Sequence, residues 1–262
     1  MLRSALASVV SIAAALVIAP AAQAAPSQVV AIGDSYMAGI GAGSYTVTDD
    51  CRRSSRSYAA DATRRTKSKL TDLSCPGARV PQVLVQASNV PATASTVLVQ
   101  VGGNDVGFSS LALSCLAPGG STCVQDVEAA IAGLPALSQG LASIAAEVRA
   151  RAPQARLVFA GYPALLSTPR QCAKSAVANF IDATETAAII SLQSQLDATI
   201  AAAATASGSD YVDWPRSVNQ HSLCSPTPWF VTPLSGPIQD SLHPIAKAYA
   251  AMGRPVSDLL RR

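Results

Sequence analysis

The chain has 262 residues, of which 49% are hydrophobic and 13% are charged. This balance excludes an intrinsically disordered protein, and the length suits one substantial hydrophobic core. The formal net charge of +3 is too small to indicate nucleic acid as a partner.

The first 24 residues have the features of a secretory signal peptide. Arg3 supplies the positive start, residues 9–19 form an apolar segment, and Ala22-Gln23-Ala24 is a small-x-small cleavage site. We therefore expect secretion, cleavage after Ala24, and a single mature domain over residues 25–262. The alternative is an uncleaved anchor helix, which the short apolar segment disfavours.

Short apolar runs predict the strands of a sheet. The runs at 28–32 and 96–101 each end in a polar loop, as buried strands do. Weaker candidates are residues 156–160, residues 211–212 and the region of Leu73.

Between these runs, apolar residues recur at the three- and four-residue spacing of a helix. This pattern covers residues 127–148, which Gly133 and Pro135 should divide into two helices, then residues 177–200, and it returns after Pro244. Strands that alternate with helices predict an α/β fold with a parallel sheet covered on both faces. Ligands are then expected beyond the carboxyl ends of the strands.

Several segments between the predicted elements have more than one interpretation. The basic stretch 52–69 is either a solvated helix face or a docking surface for an anionic lipid or polymer. In the proline-rich stretch 225–240, Trp229 and Phe230 either line a groove for an apolar substrate or anchor a loop. Gly39-x-Gly41-x-Gly43 matches no phosphate-binding motif and indicates a flexible loop near the site.

The chain contains six cysteines and no Cys-x-x-Cys pair. An even number in an exported chain indicates disulfides rather than metal binding or thiol chemistry. Six cysteines allow 15 pairings. Loop closure favours the sequential set Cys51–Cys75, Cys115–Cys123 and Cys172–Cys224.

Only two histidines are available as a general base. His243 follows Asp240 by three residues, whereas His221 has no nearby acid in the sequence. A base needs a partner on its other ring nitrogen, so this spacing predicts that Asp240 orients His243. Ser35, directly after the first predicted strand, is the matching nucleophile candidate, although Gly33-Asp34-Ser35 after a strand could also be a plain turn.

The order of these motifs carries a family resemblance. Gly33-Asp34-Ser35, Gly77 after Cys75-Pro76, Gly102-Gly103-Asn104-Asp105 and Asp240-x-x-His243 follow one another along the chain. This pattern resembles the SGNH hydrolases, the GDSL esterase/lipase family, over essentially the whole mature chain. The cysteine spacing is similar to that of the secreted bacterial branch of lipases, esterases and phospholipases. One departure is Tyr36, where the name motif has leucine.

The resemblance implies a flavodoxin-like three-layer α/β/α fold with three sequential disulfides. It also implies that Ser35 is the nucleophile and His243 the base. In this branch a backbone carbonyl is the alternative to Asp240 as the group that orients His243. The backbone N–H groups of Ser35 and Gly77 and the side-chain amide of Asn104 would form the oxyanion hole, since several donors must converge on one developing charge.

The implied function is that of a secreted, cofactor-independent serine esterase or lipase. It would act as a monomer on a small-molecule or lipid ester, with transient contact to a lipid surface. The same machinery would also serve a phospholipase or a carbohydrate O-acyl esterase, and a catalytically silent cell-surface binding module is a further alternative. Zinc hydrolysis is disfavoured because the sequence has no His-Glu-x-x-His motif and no histidine cluster.

Overall fold

The strands of this protein form a parallel sheet in the order β2-β1-β3-β4-β5, seen in a computed structural model that describes residues 27–46, 49–116, 122–232 and 236–262. The strands are β1 Gln28–Gly33, β2 Lys69–Asp72, β3 Thr96–Gln100, β4 Arg156–Ala160 and β5 Asp210–Val212. The predicted signal peptide and its cleavage site at Ala24 lie outside the described residues. Because β1 lies between β2 and β3, the direction of the crossovers reverses at β1, which places a crevice at the carboxyl ends of β1 and β3.

The connections between the strands are mainly helical. The α-helices are α1 Ser35–Ala38, α2 Tyr58–Thr66, α3 Val80–Ser88, α4 Phe108–Leu116, α5 Cys123–Ala132, α6 Leu134–Arg151, α7 Pro169–Cys172, α8 Ala183–Ala206, α9 Arg216–Asn219 and α10 Ala246–Leu260. Two short 3-10 helices cover Ala176–Asn179 and Ile238–Asp240.

Both faces of the sheet are buried. Along β1, Val30 and Ile32 point towards the layer that contains α3, α5, α6 and α8. Val29 and Ala31 point to the opposite face, against α2 and α10. Side chains alternate between the faces of a strand, so a strand buried on both sides is apolar throughout. The predicted three-layer α/β/α fold is confirmed.

The helix boundaries follow local signals. The predicted division between the two helices near Gly133 is confirmed, and α5 and α6 meet at 45°. Val177, by contrast, lies in a separate 3-10 helix and not in α8. The reason is a capping box, in which Asp182 and Glu185 each accept a backbone N–H of the other at 2.8 Å, so α8 begins at Ala183.

The three predicted disulfides form with sequential pairing, Cys51–Cys75, Cys115–Cys123 and Cys172–Cys224. The last two lie in one apolar cluster with Leu166 and Ile181. They therefore join α4 to α5 and fix α7 against the segment before Trp229.

Four of the seven basic residues in the stretch 52–69 form ion pairs with carboxylates in the described part of the chain. On α2, Arg64 and Arg65 bind the carboxylate of Asp61 at 3.2 and 2.5 Å. Before this helix, Arg53 binds the carboxylate of Asp49 at 2.6 Å. These pairs favour the solvated helix face over a docking surface for an anionic lipid or polymer.

Candidate active site

Ser35 lies where the chain turns from β1 into α1. Asp34 caps this short helix, because its Oδ1 accepts the N–H of Tyr36 at 2.9 Å. The Ser35 Oγ is 2.7 Å from Nε2 of His243, which lies 208 positions later in the sequence. This is the distance at which a base can take the proton of a nucleophilic hydroxyl.

A backbone carbonyl orients the imidazole of His243. Its Nδ1 is 2.9 Å from the carbonyl oxygen of Ser241, which can only accept, so Nδ1 carries the proton and Nε2 is the free acceptor that faces Ser35. The ring also packs at a tilt on Tyr36, with 5.0 Å between centroids. The Tyr36 hydroxyl donates to the carbonyl of Leu242 at 2.8 Å, so the residue that departs from the family's name motif supports the histidine loop.

The prediction that the Asp240 carboxylate orients His243 is wrong. This carboxylate is buried and accepts instead from Tyr45 Oη at 2.8 Å and Arg52 Nη2 at 3.0 Å. A buried carboxylate is better stabilised by a guanidinium and a hydroxyl together than by one neutral imidazole N–H. The 3-10 helix Ile238–Asp240 ends just before Ser241, and Leu242 has a φ of 64°. This backbone path places the Ser241 carbonyl, and not the Asp240 carboxylate, beside Nδ1 of His243.

The environment of His243 lowers its pKa. Burial is the largest cause, and the positive charge of Arg52 acts in the same direction. The Ser241 hydrogen bond and the negative charge of Asp240 raise the pKa but do not outweigh burial. The imidazole is therefore neutral at neutral pH, as a general base must be.

Ser35 and Gly77 both lie beyond the carboxyl ends of strands, after β1 and β2 respectively. The loop that contains Gly77 is joined to β1, because Cys75 N–H donates to the Gly33 carbonyl at 3.0 Å. Gly77 has a φ of 78°, and a Cβ there would meet open space, so its backbone conformation, not crowding, favours glycine. Within the described part of the chain, neither the Gly77 N–H nor the Ser35 N–H has a hydrogen-bond acceptor.

Asn104 follows β3 and lines the same cleft as Ser35. Its Nδ2 donates to the carbonyl of Ala78 at 3.1 Å, which joins it to the Gly77 loop. An amide nitrogen has two hydrogens, so one donor remains for a ligand. The structure thus brings Ser35, His243, Asn104 and the Gly77 loop to one edge of the sheet.

Tyr162 is a site residue that the sequence analysis missed. Its hydroxyl donates to Asp34 Oδ2 at 2.5 Å and accepts the N–H of Gly103 at 3.0 Å. It therefore joins the turn before Ser35 to the loop that carries Asn104. Burial raises the pKa of Asp34 to about 7. Sequence could have indicated Tyr162 by its position just beyond the carboxyl end of β4, because Ser35 and Asn104 also directly follow strands.

The glycine loop packs directly against the histidine loop. Gly41 has a φ of 90°, and a Cβ there would lie 2.5 Å from the carbonyl oxygen of Pro244 and 3.1 Å from Cβ of His243. The Gly41 N–H also donates to Tyr45 Oη at 2.8 Å. Only glycine allows the backbone to approach the histidine loop this closely.

The other histidine belongs to a loop anchor. The ring of His221 stacks on Trp229 with 3.9 Å between centroids, and its Nδ1 is 2.7 Å from the Thr227 carbonyl. Phe230 is buried in the core. The loop-anchoring interpretation of these aromatic side chains is therefore the one that the structure supports.

Known proteins are similar to this chain in sequence and in fold. The sequence profile of the GDSL-like lipase/acylhydrolase family matches residues 31–251. The chain is 33% identical to a lipase of Streptomyces rimosus over 93% of this chain and 90% of that protein. It is 31% identical to Lipase 1 of Streptomyces coelicolor over 91% of this chain and 88% of that protein.

Two solved structures are similar along nearly their whole length. The phospholipase A1 of Streptomyces albidoflavus NA297 superposes with a TM-score of 0.81 at 31% identity, over 90% of this chain and 99% of that one. The extracellular lipase of Streptomyces rimosus gives 0.82 at 30% identity, over 89% and 99%.

Proposed function

The chain belongs to the GDSL-like lipase/acylhydrolase family, and we propose that it is a secreted serine esterase or lipase that hydrolyses carboxylic esters through an acyl-enzyme intermediate. The observation that carries the proposal is the 2.7 Å contact between Ser35 Oγ and His243 Nε2, beside unpaired donors at the carboxyl edge of the sheet. A silent binding module would not need this contact.

The proposed reaction begins when Ser35 Oγ attacks the carbonyl carbon of the ester while His243 Nε2 takes the hydroxyl proton. The tetrahedral intermediate collapses, the bond to the alcohol oxygen breaks, and His243 returns the proton to that oxygen. Water then attacks the acyl group on Ser35, again with His243 as the base. Collapse of the second intermediate releases the carboxylic acid and restores the serine hydroxyl.

The developing oxyanion is stabilised by the N–H groups of Ser35 and Gly77 and the amide of Asn104. Each such donor is worth about 3 kcal/mol of the barrier. The Ser241 carbonyl fixes the tautomer of His243, so the protein works as a Ser35–His243 dyad with a main-chain orienter. A carbonyl supplies a dipole in place of the full charge of a carboxylate.

Secretion is supported by the predicted signal peptide, by the disulfides and by the extracellular lipase among the relatives. We propose a monomer that begins at Ala25, and mass spectrometry of the mature protein tests this N-terminus. A phospholipase is the second candidate, because the phospholipase A1 of Streptomyces albidoflavus is among the structures at 31% identity.

Replacement of the proposed nucleophile tests the function. Ser35→Ala should fold normally, lose roughly a thousandfold or more in kcat/KM on p-nitrophenyl esters, and lose labelling by a fluorophosphonate probe, because only its Oγ can carry the acyl group. His243→Ala should be equally damaging. His221→Ala is the matched control and should keep most of the activity. An active Ser35→Ala enzyme, within about tenfold of wild type, would refute the mechanism.

A further inference from the structure

One tyrosine hydroxyl joins the turn after β1 to the loop after β3. The hydrogen-bond ladder between these strands ends where the Asp34 N–H donates to the Gln100 carbonyl at 3.1 Å. Beyond this bond the two segments separate, one into α1 and the other into the loop 101–107. The Tyr162 hydroxyl connects them again, because it donates to Asp34 Oδ2 and accepts the N–H of Gly103.

Both hydrogen bonds lie one residue from a proposed oxyanion donor. Asp34 precedes Ser35, whose N–H is one such donor, and Gly103 precedes Asn104, whose side-chain amide is another. The hydroxyl hydrogen of Tyr162 is already given to Asp34, so Tyr162 is not itself a donor to the oxyanion. Any effect of this hydroxyl on the reaction must therefore pass through Ser35 and Asn104.

We propose that Tyr162 is a positioning residue that sets the spacing between the Ser35 N–H and the Asn104 amide. This inference rests on the proposed function. It gives the segment after β4 a part in the reaction, although no motif of the family resemblance lies there.

Packing and hydrogen bonds hold Tyr162 in place. The residue is only 8% exposed, and α8 binds its backbone on both sides. The Tyr162 N–H donates to Asp197 Oδ1 at 2.8 Å, and its carbonyl accepts from Gln193 Nε2 at 3.3 Å. The ring packs edge-on against Tyr36, with 5.1 Å between centroids. A side chain held in this way can in turn hold the groups that its hydroxyl binds.

The loop before Asn104 lies close to the ring of Tyr162. A Cβ on Gly103 would lie 3.3 Å from Cζ of Tyr162 and 3.4 Å from its Oη. Because glycine has no Cβ, the backbone comes near enough for its N–H to reach the hydroxyl at 3.0 Å. This contact gives a physical reason for the second glycine in Gly102-Gly103-Asn104-Asp105.

Loss of the hydroxyl should affect the transition state more than the bound ester. Phenylalanine at position 162 would leave Asp34 Oδ2 and the Gly103 N–H without this partner, and both loops would shift to satisfy them. Donors stabilise the oxyanion only where its charge develops, and a displacement of about 1 Å can cost about a hundredfold in rate. The kcat should therefore fall while KM changes little.

Tyr162→Phe provides the first test, with p-nitrophenyl butyrate as substrate and phenylboronic acid as inhibitor. The boron accepts Ser35 Oγ as a fourth ligand, so the adduct resembles the tetrahedral intermediate. We expect kcat to fall by roughly ten- to a hundredfold, KM to stay within about threefold, and the inhibition constant to rise by about the factor that kcat loses. All rates are measured well below the melting temperature of each variant.

Tyr211→Phe is the matched control for this test. Its hydroxyl lies beside Gly161, next to Tyr162 in the chain, but it binds neither Asp34 Oδ2 nor the Gly103 N–H. The variant should keep kcat and the inhibition constant within about twofold, because surface-near changes away from such contacts have small effects.

A double-mutant cycle with Asn104→Ala provides the second test. If Tyr162 acts partly through the Asn104 amide, its replacement should cost less once that amide is gone. The loss of kcat caused by Tyr162→Phe should be at least about threefold smaller in the Asn104→Ala background than in the wild type. Equal losses in the two backgrounds would show that the hydroxyl does not act through this donor, and would overturn the inference.

Gly103→Ala tests the same contact if Tyr162→Phe does not fold. Its Cβ would push the loop away from the ring, so kcat should fall severalfold and the inhibition constant should rise by a similar factor. A folded Tyr162→Phe or Gly103→Ala enzyme with kcat and inhibition constant unchanged would overturn the positioning role and leave the ester hydrolase intact. A wild-type enzyme that hydrolyses no ester would overturn the proposed function, and this inference with it.

Discussion

At the scale of single residues, two charged side chains near His243 shift its pKa in opposite directions. Asp240 and Arg52 form an ion pair of 3.0 Å, and the carboxylate raises the pKa of His243 while the guanidinium lowers it. The base must be neutral to accept a proton, so activity falls as the pH drops through this pKa. The two side chains therefore tune the acid limb of the pH profile without touching the ring.

Asp240→Asn should lower the pKa of His243, because a charge that favours the imidazolium is removed. The acid limb of kcat/KM should then move to lower pH, and kcat should fall by less than about tenfold, since the Ser241 carbonyl still fixes the tautomer. Arg52→Gln should move the limb to higher pH. A pH–rate profile of each variant measures both shifts. A hundredfold loss of kcat in Asp240→Asn with an unmoved profile would return Asp240 to the role of orienter.

The residues predicted from sequence are those whose side chains do chemistry at the ends of strands. Ser35 and Asn104 follow buried apolar strands, and His243 is one of only two histidines. A backbone carbonyl was the alternative orienter of His243, but the sequence could not identify Ser241 as its source, because every residue has a carbonyl and only the backbone turn selects this one. Tyr162 was missed because its contact with Asp34 joins residues 128 positions apart.

At the scale of elements, the glycine loop holds the histidine loop in place. Gly41→Ala should lower kcat by roughly tenfold or more, because the added Cβ would lie 2.5 Å from the Pro244 carbonyl and would displace His243 from Ser35. KM should change less, because Gly41 is not among the described residues that line the cleft beside Ser35. Steady-state kinetics with a short ester measure both constants.

Gly43→Ala is the control for this prediction. Gly43 also has a positive φ, of 66°, but a Cβ there would meet nothing within 4 Å. Both variants incur the cost of a left-handed alanine, about 1 kcal/mol of stability. If the two lose the same activity, backbone strain and not the contact with the histidine loop is the cause.

The elements differ in how well sequence predicts them. The strands β1 and β3 are buried on both faces, so their apolar runs stand out. The strand β2 has the sequence Lys69-Leu70-Thr71-Asp72 at the edge of the sheet, and its polar residues gave only an uncertain signal near Leu73. The helical stripe through Val177 continued the period of α8, but the Asp182 cap fixes where that helix begins.

At the scale of the whole molecule, buried carboxyls make stability depend on pH. Burial raises the pKa of Asp34 and Asp197 to about 7 and that of Asp72 to about 6, from the ordinary value of 3.8. The folded state therefore binds more protons than the unfolded state between about pH 4 and pH 7. The free energy of unfolding falls as the pH rises through this window. The lowered pKa of His243 changes the free energy of unfolding in the opposite direction, but the three raised carboxyl pKa values outnumber this single group.

Asp197→Asn isolates one of these groups away from the nucleophile. Its Oδ1 accepts the N–H of Tyr162 at 2.8 Å, and an asparagine keeps this acceptor without a charge. At pH 5 the aspartic acid is already neutral, so the melting temperatures of variant and wild type should agree. At pH 8 the wild type must hold a desolvated carboxylate, so the variant should melt at the higher temperature. Scanning calorimetry at the two pH values measures the difference. A variant destabilised equally at both would show that the carboxyl group acts through its hydrogen bonds and not through its charge.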